Sequence, residues 1–142
     1  MISLSHLHPM LVHFPIALLL WGFIADVASM LFKKEACLSK IGFYLLLIGA
    51  LTSVSAVLSG VLFTSEMSGA AGAVKETHEL FAWMTAGTAL VAAALRLYVV
   101  SRKKEGTNLK WVAFLVYGLA AILVSVTGFF GGTLVYSYMM PL

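Results

Sequence analysis

Four long apolar runs, at residues 9–32, 41–64, 78–100 and 111–136, dominate the chain and decide what it can fold into. Each has the roughly 20 residues that an α-helix needs to cross a hydrocarbon core about 30 Å thick. Lipid offers no partner for exposed backbone N–H and C=O groups, so segments this apolar are expected to be helices. The linkers, at 33–40, 65–77 and 101–110, are too short to hold a second domain. The expected fold is therefore all-α, an integral membrane four-helix bundle running up-down-up-down, with residues 1–142 as one domain.

Composition agrees. Hydrophobic residues make up 61% of the chain and charged residues 11%, against about 25% charged in soluble domains. The net charge of +3 does not point to nucleic acid, because the basic residues gather at span ends and share no face. Cys37 is the sole cysteine, which excludes an internal disulfide, a cysteine-based zinc or iron–sulfur site, and haem attached through Cys-x-x-Cys-His. The N-terminus lacks the positive stretch of a signal peptide, and its apolar run contains His13, Pro15 and Asp26.

Lysine and arginine set the expected orientation. The first and third linkers carry Lys33, Lys34 and Lys40, then Arg102, Lys103, Lys104 and Lys110, whereas the second carries only Lys75. The positive-inside rule puts the first and third linkers in the cytoplasm and both termini on the exoplasmic side. Small residues suggest helix contacts: Gly42, Gly49 and Ala56 on the second span, Gly118, Ser125 and Gly132 on the fourth. The third span offers His78, Ala82, Thr85, Ala89, Ala92 and Arg96. Small residues let helix backbones approach where lipid supplies no hydrophobic drive. Asp26 and Arg96, inside the opposite boundary, suit a buried ion pair, but a diagonal placement of their helices argues against direct contact.

His13 and His78 open the first and third spans, at similar depth on the exoplasmic side. An imidazole in a bilayer is costly unless paired, turned into the bundle or bound to a ligand. The first and third helices of such a bundle lie diagonally, about 11–14 Å apart if neighbouring axes are about 8–10 Å apart. That gap suits a planar tetrapyrrole held edge-on, with one imidazole reaching the iron from each side. Gly60, Gly131 and Gly132 fall near the same depth and leave room for a flat ligand, with Phe14, Phe81, Phe129 and Phe130 as candidates to line its faces. His8, before Pro9, suits either a headgroup position or a ligand carboxylate. Pro15 should kink the first helix or mark its true start, freeing the Leu11 carbonyl to orient a ring N–H.

The stretch from Leu7 through His8, Pro9, His13, Phe14 and Pro15 to Leu18 resembles the opening of a bacterial family of predicted four-span membrane proteins, domain of unknown function 2231. Asp26, Gly60, His78, Arg96 and the ending Gly131-Gly132-Thr133-Leu134-Val135-Tyr136 resemble its pattern too. The resemblance implies the bacterial inner membrane. Some relatives are joined to c-type cytochrome domains, which implies a redox setting and a c-type cytochrome or other redox protein as partner.

Three functions compete. The first is a small b-type cytochrome with haem b held by His13 and His78, carrying electrons within a larger redox assembly. The second is a structural membrane subunit without a cofactor. The third is exoplasmic copper handling by His6, His8, Met10, Met67, Met139 and Met140, since thioether and imidazole suit Cu(I). No nucleophile–base set is present, so the chain is not expected to be an enzyme on its own.

Overall fold

A computed structural model describes residues 7–104 and 106–138. It is helical throughout, with α1 (Leu7–Leu11), α2 (His13–Leu31), α3 (Ala36–Phe63), α4 (Gly69–Ser101) and α5 (Asn108–Tyr138). Among the described residues, α1 and α2 together and α3, α4 and α5 singly are the four segments long and apolar enough to cross a membrane. The expected all-α four-helix bundle is the observed fold.

Two boundaries teach something. Pro15 marks a start, not a mid-span kink: the first span is interrupted for one residue at Val12, whose backbone keeps helical angles, and Pro15 sits in the opening turn of α2, where its missing N–H is harmless. α4 begins nine residues before the expected 78, at Gly69. Gly69 takes a left-handed φ of +65°, which glycine adopts freely. The extra turns carry Lys75, whose ammonium bonds Glu79 one turn on at 3.0 Å and Glu66 at 3.3 Å.

Sequence neighbours pack as hairpins, α2 on α3 and α4 on α5, and α3–α4 and α2–α5 contacts close the bundle. Leu19, Leu46 and Tyr117 are almost wholly buried at its centre, packed with Ala50, Ala89, Ala92 and Ala120. Trp21, Leu51, Leu58, Leu115 and Ile122 face outward, as a lipid-facing surface requires. The small residues of α3 and, Ala82 apart, of α4 are buried as expected, but those of α5 are not. Gly118 and Gly132 are half-buried and Ser125 is exposed, while Ala113, Tyr117, Ala120, Ala121 and Val124 form the inward face. The expected seven-residue stripe on α5 lies at the edge of the contact face, where Gly118 sits against the Phe23 ring.

Candidate functional site

At the end of the bundle where α1 begins and α5 ends, the helices part around a cavity of about 310 Å³. Cofactor sites usually occupy about 300–1,000 Å³. Its wall includes His8, His13, His78, Gly60, Gly131 and Gly132. All five sequence-derived site residues therefore meet there, joined by His8.

The histidines divide unequally. The ring centroids of His8 and His78 are 6.3 Å apart, with ring planes at 83°. His78 Nδ1 donates to the Thr127 carbonyl of α5 at 3.0 Å. His8 Nδ1 lies 3.1 Å from the Ala56 carbonyl and 2.9 Å from Ser59 Oγ on α3. A carbonyl can only accept, and Ser59 already gives its proton to Ala56 O, so Nδ1 carries the proton in both rings. In the neutral ring this leaves each Nε2 with a free lone pair, the tautomer that second-shell carbonyls impose on metal-ligating histidines.

His13 is exposed, and its Nδ1 turns back to the Pro9 carbonyl at 2.6 Å. It stands at the cavity wall without facing His78. The carbonyl orienting its ring is that of Pro9, and Leu11 plays no such part. The signal for His8 over His13 lay in helix phase: five full turns, 18 residues, separate His8 from Asp26 and His78 from Arg96, which puts each histidine on its helix's buried face.

The glycines split by role. A Cβ on Gly60 would come within 3.1 Å of His8 Cε1, and one on Gly131 within 3.1 Å of His78 Cε1, so these two seat the rings. Gly132 faces open space. The four expected phenylalanines do not line the cavity: Phe14 and Phe129 point outward, and Phe81 and Phe130 stack on each other at 5.8 Å. Phe63, Trp83 and Tyr136 line it instead. Among the copper candidates, Met10 is exposed and His8 serves the imidazole pair. His6, Met139 and Met140 lie outside the described residues.

At the opposite end, Arg96 reaches across the diagonal after all. Its guanidinium donates to Asp26 Oδ1 at 3.1 Å and to Ser39 Oγ at 2.8 Å. The long side chain spans a distance that the helix axes leave open. Asp26 Oδ2 and the Tyr117 hydroxyl are buried there without a hydrogen-bond partner among the described residues.

These features define a four-helix membrane protein with an imidazole pair in an apolar cavity. The chain belongs to the family of predicted membrane proteins DUF2231, matched over residues 5–141. Neither a curated protein nor a solved structure matches it.

Proposed function

We propose that the chain is a small b-type cytochrome of the bacterial inner membrane, its haem held between His8 and His78. One observation carries this: two imidazoles 6.3 Å apart, each held through Nδ1, with no group of three metal-ligating side chains among the described residues. Metal–imidazole bonds of about 2.0–2.1 Å, with each nitrogen about 1.1 Å from its ring centroid, set two imidazoles on opposite sides of one ion about 6.2–6.4 Å apart. A para-quinol bridging the two nitrogens would need several ångströms more. A zinc ion needs three or four protein ligands, and the described residues contain no cluster of three His, Cys, Asp or Glu that could hold one. Haem brings four equatorial nitrogens of its own and asks the protein for axial ligands alone.

The chain's part is to fix both rings through Ala56 and Thr127, to exclude bulk with Gly60 and Gly131, and to hold the group in an apolar wall. The positive loading of the first and third linkers supports a site near the exoplasmic leaflet. A haem at one leaflet cannot carry electrons across alone, so a redox partner, such as a c-type cytochrome, completes the path.

Purified protein supplied with haem should show a six-coordinate, low-spin spectrum that responds to dithionite. His8→Ala and His78→Ala should each abolish it, and His13→Ala should leave it nearly intact. A folded preparation with no Soret band sinks the reading. Retention in both His8 and His78 variants keeps the class and refutes the site. A C-terminal reporter active only in the cytoplasm would reverse the orientation.

A further inference from the structure

The two halves of the site repeat each other. His78 follows His8 by 70 positions, as Arg96 follows Asp26; Gly131 follows Gly60 by 71, as Thr127 follows Ala56. In each half a histidine from the first helix gives its Nδ1 proton to a carbonyl of the second helix and rests on a glycine four residues further along. The burial pattern follows the same offsets. Pro15 and Thr85, Leu19 and Ala89, and Gly22 and Ala92 are buried counterparts, and so are Gly42 and Ala113, Leu46 and Tyr117, and Gly49 and Ala120. Similar helices share periodic burial in any bundle, but that alone does not reproduce the histidine–carbonyl–glycine unit.

The contacts between halves locate a symmetry axis. In a two-fold arrangement, a residue that meets its own counterpart lies on the axis. His8 meets His78, and Asp26 meets Arg96. These self-pairs are 18 residues apart on each helix, about 27 Å at 1.5 Å per residue, so the line through them runs the length of the bundle. Ser39, which accepts from Arg96, has Lys110 as its counterpart. His13 corresponds to Trp83, so it has no histidine counterpart.

We infer that the chain is a tandem of two equivalent helical hairpins, residues 7–63 and 69–138, related by a pseudo-two-fold axis along the bundle, and that the histidine site lies on that axis and takes one metal centre ligated identically from both sides. Parallel repeats about the membrane normal are a known way to build membrane proteins with a site at the repeat interface. Duplication also explains the ion pair: a symmetric dimer would put two like charges at the position of Asp26 and Arg96, and only a fused chain can make them opposite. The choice of ligand rests on the haem reading; the repeat does not.

Exchange between halves tests the repeat in the full-length protein without any ligand. Asp26→Arg or Arg96→Asp alone sets like charges on the axis and should lower the yield of folded, detergent-extracted protein about tenfold or more. Exchanging all four counterparts (Asp26→Arg, Ser39→Lys, Arg96→Asp and Lys110→Ser) should restore the yield to within about threefold of the parent. An exchange variant no better than the single ones overturns the repeat. With haem supplied, His8→Ala and His78→Ala should abolish the low-spin spectrum alike, each ring supplying one axial bond. Loss confined to one of them overturns the on-axis site while the yields still decide the repeat. A parent that binds no haem defeats the proposed function and again leaves the yields decisive.

Discussion

The two ends of this bundle solve the problem of polar groups in lipid in opposite ways. At one, Asp26 and Arg96 neutralise each other at 3.1 Å, and Gly22 and Gly42 let the neighbouring helices close on them. At the other, His8 and His78 are fixed from behind by carbonyls of α3 and α5, and glycines seat the rings beside a cavity. The first end spends its charges on each other. The second keeps two lone pairs in reserve, and that difference separates a structural clamp from a binding site.

The largest expected effect falls on the clamp. Arg96→Met leaves the Asp26 carboxylate buried without its cation and should cost about 3–5 kcal/mol in reversible unfolding in detergent. His78→Ala in the cofactor-free protein should cost about 1 kcal/mol or less, one hydrogen bond to a helical carbonyl. Equal losses from the two changes would erase the contrast between the ends.

Glycine substitutions sharpen it next. A Cβ on Gly42 would meet Asp26 Oδ1 at 2.5 Å, and one on Gly22 would overlap the Tyr117 hydroxyl. Either Gly→Ala change should destabilise by about 1–3 kcal/mol, the usual cost of overpacking. Gly132→Leu, where a Cβ meets nothing within 4 Å, should leave the unfolding curve in place and block haem uptake by filling the cavity. A stability loss at Gly132 as large as that at Gly42 would mean that the cavity end is packed, not poised.

How much of this was legible follows from what lipid and helix geometry impose. The four spans were, because backbone satisfaction leaves a 20-residue apolar run little alternative. His78, Gly60 and Gly131 were, through depth and residue type. The partner of His78 was not, because depth along a helix does not give azimuth: His13 is nearer the span, but His8 has the phase of Asp26. The start of α4 was missed because hydropathy ends where lipid ends, whereas helix continues through Lys75 and Glu79. The Asp26–Arg96 contact was underrated because axis separations ignore how far an arginine side chain extends.

The smallest effect probes what still distinguishes the clamp from a finished structural pair. The Tyr117 hydroxyl is buried without a partner among the described residues, beside a carboxylate with one oxygen in the same condition. Removing a polar atom that makes no hydrogen bond relieves its desolvation and sacrifices nothing. Tyr117→Phe should therefore leave stability unchanged or raise it by up to about 1 kcal/mol. A loss of about 1–3 kcal/mol in the same unfolding measurement would show that the hydroxyl and Asp26 Oδ2 are joined through a buried water. The clamp would then be a hydrated polar centre, and the two ends would differ in degree, not kind.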